Sequence, residues 1–436
     1  MRNILTGGYL SPFTKTVLLG SVSALTFGLA TNPASAVTVP LLTGPAGSNP
    51  AAFPADLPDV NATISAINST GATGINPNTT AVFSNFRNYV DNGDIAIAQR
   101  GTGSIAGVST CNVVGSTEAY VADRFCVTSN VAAQAATGQV VTSSPTPFTG
   151  FQNSMNVWRA SGALTVPVCA IQEIPANDAI QLQGQTVTFS AYLQALAGLN
   201  ADNGSVVNMY IITGTTADQG LQSFSAVGST FPNWAGLVTT TTSAKTITTG
   251  WARYSLTGVI PTGAKEVGIE ICFTPTATGA GSTDGFSMVG VQLEQGATPS
   301  TYAFTPLGIE LTKAQEYFYR LSDVAGASQQ LVGFSGFQQT SQNCSGALTF
   351  PTQMRTNPIT TNTLSATSFA IVGTHLAIGS GTALSTPFSG TLGTKIPLTA
   401  ASLKFTTGSG TAIVAGDTCY LETLGSGGFI DFSADF

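Results

Sequence analysis

The chain has 436 residues, of which 43% are hydrophobic and 8% charged, and its formal net charge is −7. An average soluble domain carries about 25% charged residues, so the composition excludes coiled coils and helix-rich enzymes, and the apolar content excludes intrinsic disorder. The acidic balance argues against nucleic-acid binding, which requires a basic patch. No stretch has the 18 or more apolar residues of a membrane span.

The amino terminus admits two interpretations. Arg2 and Lys15 precede the apolar run 17–30, and Ala34-Ser35-Ala36 is a small-residue cleavage site, as in a secretory signal peptide over residues 1–36. The alternative is a retained segment that buries its apolar run against a partner protein. Residues 37–80 are rich in Pro, which blocks helix interiors and central strands, so this region is interpreted as an extended arm.

From residue 81 onward, short alternating or β-branched runs recur between Gly-rich turns. This pattern predicts an all-β fold, with a jelly-roll β-sandwich over residues 81–306. The predicted strands are Asp94–Ala98, Thr186–Tyr192, Ser205–Thr213, Thr246–Thr257, Glu266–Phe273 and Phe286–Leu293.

Residues 307–436 are expected to form a smaller C-terminal β domain. Leu307–Leu321 is the best helical candidate, with Thr312 as a capping residue for a short helix. Tyr317 and the two aromatic residues after it favour a strand. Residues 429–433 alternate like a final strand.

Seven sequence motifs follow one another in a characteristic order. They are NYVDNGDIAIAQRG (88–101), AYVADRF (119–125), LQGQTVTFSAYLQA (182–195), TTGWARYS (248–255), VQLEQGATPSTYAF (291–304), ELTKAQEYFY (310–319) and FPTQMRTNP (350–358). The series resembles a family of tailed-bacteriophage virion proteins described as tail-fibre or minor structural proteins. The resemblance covers roughly residues 83–435, and the first 80 residues have no counterpart in it.

This resemblance implies a jelly roll like that of carbohydrate-binding modules, followed by the smaller β domain. It also implies a homotrimeric fibre or decoration on a virion. The expected partners are other virion proteins, bound through the amino-terminal segment, and a host-surface polysaccharide.

Four charged residues lie in the first two motifs. Because charge is scarce in this chain, Asp94, Arg100, Asp123 and Arg124 are predicted to form structural ion pairs that fasten the first strands to the sandwich.

Trp234 is the candidate ligand-binding residue. It lies in the loop-like run FPNWAG, and an exposed indole stacks on a sugar ring while an amide such as that of Asn233 bonds the hydroxyls. The alternative is an indole tucked onto the sandwich.

Little in the sequence points to catalysis or to a cofactor. His375 is the one histidine, it lies in an apolar strand-like stretch, and neither a G-x-S-x-G motif nor a CxxC pair is present. A non-enzyme without a cofactor is therefore predicted. Structural calcium is an alternative without a predicted ligand set, since four acids offer carboxylate oxygens: Asp178, Asp202, Asp218 and Asp284.

The sequence thus predicts a structural virion protein, a tail fibre or fibre-like protein that contributes to glycan recognition through multivalent binding. One alternative is a capsid or tail decoration protein without a receptor role. Another is a secreted bacterial lectin-like surface protein, which requires cleavage after Ala36.

Overall fold

The computed structural model describes the hairpin residues near the amino terminus and most of the chain from residue 87 onward. The described ranges are 22–27, 37–42, 87–101, 105–108, 120–129, 136–141, 150–159, 164–221, 232–277, 284–322, 330–340, 343–356, 358–362, 369–373, 400–406, 418–423 and 429–434. None of the helices in these ranges has the length and apolar character needed to cross a membrane.

The chain divides into two compact units, residues 1–83 and 84–436. In the first unit, β1 (Val22–Phe27) and β2 (Val37–Leu42) form an antiparallel hairpin. Strand β1 lies within the apolar run 17–30, and most of the predicted Pro-rich arm lies outside the described residues.

The second unit begins with twelve strands that form a β-sandwich. In chain order they are β3 (Ile105–Val108), β4 (Tyr120–Ala122), β5 (Phe125–Thr128), β6 (Ala136–Val141), β7 (Ser154–Arg159), β8 (Val168–Ile174), β9 (Thr186–Ala195), β10 (Val206–Gly214), β11 (Val238–Thr246), β12 (Ala252–Val259), β13 (Glu266–Phe273) and β14 (Gly285–Gln295). Between them lie helix α1 (Ala176–Ala179), a 3-10 turn (Ile180–Leu182) and helix α2 (Ala197–Asn203).

The twelve strands divide equally between two antiparallel sheets. The first sheet has the order β11-β10-β13-β8-β5-β4, and the second has the order β12-β9-β14-β7-β6-β3. Because successive strands from β7 to β10 alternate between the sheets, the connections cross the ends of the sandwich as in a jelly roll. The described residues confirm the predicted all-β jelly-roll fold.

The hydrophobic core lies between the two sheets. It forms because every second side chain along a strand points to the same face of the sheet. In β9, Val187, Phe189, Ala191 and Leu193 are fully buried in one cluster with residues of β13 and β14. The intervening residues, such as Tyr192, project from the opposite face of the sheet. Burial of the apolar faces supplies the main favourable contribution to folding.

Helix α3 (Leu307–Tyr317) follows the sandwich and leads directly into β15 (Phe318–Ser322). The predicted helix and the strand after it are therefore present, but the capping prediction is wrong. Pro306 occupies the N-cap position, and the Thr312 hydroxyl donates within the helix to the Gly308 carbonyl at 2.8 Å.

The remaining strands form two smaller antiparallel sheets. Their members are β16 (Gln330–Thr340), β17 (Asn343–Thr349), β18 (Ile359–Asn362), β19 (Phe369–Gly373), β20 (Ala400–Thr406), β21 (Thr418–Thr423) and β22 (Phe429–Ser433). One sheet has the order β15-β22-β18 and the other β19-β21-β16-β17-β20. The final alternating run is a strand as predicted, whereas His375 lies outside the described residues.

One predicted strand is absent from the described residues. Residues 94–98 lie in a turn and an irregular segment, in which Asn92 and Ile95 have positive φ angles of 54° and 57°. The Asn92 amide explains the turn: it donates to the Ile97 and Asp123 carbonyls at 2.8 and 3.0 Å, and its oxygen accepts from the Ile97 amide at 2.8 Å. The side chain thus takes the hydrogen bonds that a strand ladder would supply.

Strands β8 and β13 are joined by a disulfide. Cys169 and Cys272 are directly opposite each other in the strand register, and they close a sequence separation of 103 residues. The described residues Cys126 and Cys419 are also disulfide-bonded. The sequence spacing alone left all pairings open.

Loss of the Cys169–Cys272 bond is expected to destabilise the fold, because the bond restricts a long segment of the unfolded chain. We expect Cys169→Ala/Cys272→Ala to lower the free energy of unfolding by about 2–5 kcal/mol, measured by chemical denaturation. A non-reducing peptide map should contain the linked pair. Alkylation of both thiols in denatured protein without reductant would contradict the assignment.

Candidate functional site

Arg124 lies at the centre of a buried cluster of charges. Its side chain is 1% exposed, and guanidinium nitrogens lie 3.7 Å from carboxylate oxygens of both Asp91 and Glu173. One nitrogen also donates to the Glu173 carbonyl at 3.0 Å, and the guanidinium carbon lies 3.5 Å from the ring centroid of Tyr317. One side chain therefore contacts the turn at residue 91, strand β8 and the end of helix α3.

Helix α3 makes two further polar contacts with the turn at residues 91–92. Lys313 Nζ lies 3.2 Å from a carboxylate oxygen of Asp91, and the Glu310 carboxylate accepts a hydrogen bond from the backbone N–H of Asn92 at 2.8 Å. Arg124 and Lys313 thus share the Asp91 carboxylate. These contacts hold the first two turns of the helix against the turn at residues 91–92, and the Tyr317 ring holds the helix end against Arg124.

Arg100 and Asp123 are two of the residues predicted to form ion pairs. A guanidinium nitrogen of Arg100 lies 3.8 Å from a carboxylate oxygen of Asp123. The guanidinium of Arg100 also lies over the Phe318 ring, 3.6 Å from its centroid. The Asp123 carboxylate also accepts a hydrogen bond from the backbone N–H of Gln99 at 3.1 Å. The pair therefore connects the first two motifs to the first residue of β15.

Asp94 does not form the predicted ion pair with Arg100 or Arg124. Its carboxylate accepts from the Ala96 amide at 3.3 Å, and the described residues place no cation in a salt bridge with it. Burial and the nearby Glu310 carboxylate raise the pKa of Asp94 from 3.8 to about 6. The turn made by Asn92 explains the difference, because it directs residue 94 toward helix α3 instead of along a strand.

Four aromatic rings form a cluster on the outer face of the second sheet, which we call the aromatic surface. Phe151 lies 5.9 Å from Tyr192, 5.1 Å from Tyr302 and 5.0 Å from Phe304 between ring centroids. Tyr302 and Phe304 meet edge to face at 4.8 Å, a favoured geometry for aromatic pairs. Phe304 is 42% exposed, so the surface presents a ring to solvent.

The backbone of β14 makes room for this cluster at Gly290. A side-chain carbon on Gly290 would lie 2.8 Å from atoms of both Phe151 and Tyr192, and φ there is 62°. The register with β9 shifts between Val289 and Gln292, so a bulge accompanies the glycine. The bulge allows the two rings to approach the sheet.

The turn that carries Asp94 lies beside the hydroxyl of Tyr302, because a side-chain carbon on Gly93 would lie 3.0 Å from that oxygen. Burial, together with the charges of Asp94 and Glu310, raises the pKa of Tyr302 well above its usual value of 10. Asn153, two residues after Phe151, donates to the Ile95 carbonyl at 3.0 Å. The loop that carries Phe151 and the turn that carries Asp94 are therefore held together.

An exposed aromatic ring can bind a ligand that has an apolar face, because the ring packs against C–H groups of the ligand. Phe151 and Phe304 were not among the predicted site residues, since no local sequence pattern shows that rings 153 residues apart meet. The closing TYAF of the fifth motif, which contains Tyr302 and Phe304, was the one available signal.

Trp234 is not available as a stacking platform, contrary to the prediction. It is 4% exposed and packs in a cluster with Tyr120, Ile171 and Ile212, and its indole donates to the Gly220 carbonyl at 3.1 Å. A side-chain carbon on Gly268 would lie 2.9 Å from the indole, so the ring covers that glycine on the first sheet. Asn233 is exposed but has no accessible indole beside it.

The acids considered for calcium have protein partners instead. A carboxylate oxygen of Asp284 lies 2.6 Å from Nε of Arg159, and Asp218 forms a salt bridge with Arg355. The Asp202 carboxylate accepts a hydrogen bond from the backbone N–H of Ala277 at 2.6 Å. Burial and Asp91 raise the pKa of Asp178. Among the described residues, one group brings three ligand-type atoms together, but it contains the disulfide sulfurs: Cys169, Glu270 and Cys272.

Comparison with known proteins gives structural matches only. No family model and no curated protein matches the sequence. A structure of a carbohydrate-binding module of family 4 is 13% identical with a TM-score of 0.26, and the match covers 48% of this chain and 99% of that one.

Two further matches cover similar shares of this chain. The enzymatically active domain of tailspike protein 4 from bacteriophage CBA120 is 12% identical with a TM-score of 0.26, over 48% of this chain and 21% of that one. A cyclase from Fischerella sp. TAU is 9% identical with a TM-score of 0.29, over 45% of this chain and 100% of that one.

We expect Arg124→Met to lower the free energy of unfolding by about 3–5 kcal/mol, because it removes the buried guanidinium from the Glu173 carboxylate and leaves Asp91 with Lys313 alone. Chemical denaturation at pH 7 measures the change. Lys265→Met, at an exposed cation, is the matched control and should change stability by less than about 0.5 kcal/mol. A loss below 1 kcal/mol for Arg124→Met would show that the cluster does not hold the fold together.

Asp94→Asn should stabilise the protein at neutral pH. A carboxyl whose pKa rises from 3.8 to about 6 on folding destabilises the fold above that range and has almost no effect below about pH 3, where both states are protonated. The free energy of unfolding should therefore increase by about 1–3 kcal/mol at pH 7.5, with the gain disappearing at about pH 3. An equal gain at both pH values would argue against this origin.

Proposed function

We propose that this chain is a glycan-binding surface protein and that the aromatic surface is its binding site. The observation that carries the proposal is the exposed ring of Phe304, held edge to face against Tyr302. A sugar ring has an apolar C–H face that packs on such a ring.

We further propose that the protein acts on a bacteriophage particle as a tail-fibre or fibre-like protein. The ordered motif series supports this proposal, as does a surface poor in charge. In a homotrimer, three weak sugar sites would act together through their high effective concentration. The amino-terminal segment would attach the fibre to other virion proteins.

Mass spectrometry of purified particles, combined with antibody labelling, tests this assignment. Labelling at the tail supports a tail fibre, and labelling on the head would favour a decoration protein.

The disulfides favour a second candidate, a secreted glycan-binding surface protein. Disulfides persist in oxidising surroundings such as the cell exterior, and the segment ending at Ala36 resembles a signal peptide. Amino-terminal sequencing of the mature protein separates the two candidates. A start at Val37 favours secretion, whereas an intact residue 1 favours a retained docking segment.

Phe304→Ala should weaken glycan binding by tenfold or more, since removing one well-packed aromatic contact costs roughly 1.5 kcal/mol or more. Binding to an array of bacterial and plant glycans, followed by calorimetry, measures the loss. Melting should stay near wild type because the ring is partly exposed. Phe337→Ala is the matched control, since Phe337 is a 66% exposed ring elsewhere. Equal binding by both variants and wild type would refute the site.

A further inference from the structure

Three side chains that can bind a metal ion meet on the outer face of the first sheet. Cys169 on β8 and Cys272 on β13 are directly opposite each other. Glu270 precedes Cys272 by two residues and therefore lies on the same face of β13, whereas Ile269 and Ile271 belong to the core. The two cysteines and Glu270 are only 0–2% exposed, and one ligand atom from each lies within 4.8 Å of the other two.

These distances fit a tetrahedral zinc ion once the disulfide is open. Zinc binds a thiolate sulfur at about 2.3 Å and a carboxylate oxygen at about 2.0–2.2 Å, so a sulfur and an oxygen of one tetrahedron are separated by roughly 3.6 Å. The sulfur of Cys272 already lies 3.7 Å from a carboxylate oxygen of Glu270. In the oxidised protein both sulfurs are held in the Cys169–Cys272 bond, so the site forms only after reduction.

We propose that Cys169, Cys272 and Glu270 bind one Zn²⁺ ion when the disulfide between the two cysteines is reduced. A dithiol reductant breaks the S–S bond by thiol–disulfide exchange, is itself oxidised to a disulfide, and leaves two protein thiols. Each thiol then loses one proton to solvent as zinc binds, because the thiolate is the ligand. A water molecule occupies the fourth position of the tetrahedron.

The chemistry of the three ligands selects the metal. Thiolates favour zinc and other soft ions, whereas calcium and magnesium require oxygen ligands. Two thiolates and one carboxylate would carry three negative charges, and burying them without a cation costs free energy. Binding of zinc offsets that cost and therefore stabilises the reduced fold.

The zinc ion would take over the mechanical role of the disulfide. Because one sulfur comes from β8 and the other from β13, the two strands stay cross-linked in either redox state. The reducing interior of a cell favours the zinc form, and the oxidising exterior favours the disulfide form. This site lies on the first sheet and the aromatic surface on the second, so the inference does not depend on the proposed glycan binding.

The test refolds the full-length chain with zinc in two redox states, because buried ligands are reached from solvent only before folding is complete. One sample is refolded with a dithiol and the other after air oxidation, and both are then passed through a gel-filtration column that contains a chelator. Elemental mass spectrometry should find about one zinc per chain in the reduced sample and essentially none in the oxidised sample. Cobalt in place of zinc should give sulfur-to-metal charge-transfer absorption in the reduced sample alone.

Three variants assign the ligands, with circular dichroism as the check on folding. Glu270→Gln preserves the size of the side chain and removes the charge, so the reduced protein should bind zinc tenfold or more weakly. Cys169→Ser/Cys272→Ser should retain no zinc. Cys419→Ser is the matched control, since it opens a different disulfide on β21, and it should retain one zinc.

The absence of zinc from reduced wild type, whether the chain refolds or stays unfolded, would overturn the proposal. Zinc retained equally by Cys169→Ser/Cys272→Ser would also overturn it, because the ion would then be bound elsewhere. Unchanged zinc affinity in Glu270→Gln would do the same, because the carboxylate would not be a ligand.

Discussion

The fold depends on one buried guanidinium. Arg124 is almost fully enclosed, and its charge is compensated by Asp91 from the first motif and Glu173 from strand β8, with the ring of Tyr317 over one face. Burying any one of these charged groups alone would cost free energy, because the group would lose its hydration. Pairing the opposite charges offsets that cost. Helix α3 therefore has one defined position relative to the turn at residues 91–94.

The position of helix α3 in turn determines the candidate site. Glu310 lies near Asp94 because the helix is held by Lys313 and Tyr317 at the Asp91–Arg124 cluster. The segment that leads into the helix carries Tyr302 and Phe304 onto the second sheet. A chain with 8% charged residues thus uses several of its ions to orient a surface that is itself formed mainly by aromatic rings.

Other carboxyls show that the fold also tolerates unfavourable burial. On the outer face of the first sheet, Glu266 is 1% exposed. Burial, with the neighbouring Glu173, raises the pKa of Glu266 to about 8. It accepts a backbone hydrogen bond from Gln219 at 3.1 Å, beneath the loop that also buries Trp234. Such a group reduces stability at neutral pH, and the disulfide in the same face opposes that loss by restricting the unfolded chain.

The sequence by itself determined the class of fold and many of the strands. Alternation along Thr186–Ala195 and Glu266–Phe273 is a local property, because side chains two residues apart lie on the same face of a strand. Tertiary structure decided the rest. The indole of Trp234 is buried since Gly268, on a distant strand, leaves space for it. Asp94 faces Glu310 instead of a cation, and Phe151 meets Phe304, because folding joins segments more than 150 residues apart, and no local pattern records those contacts.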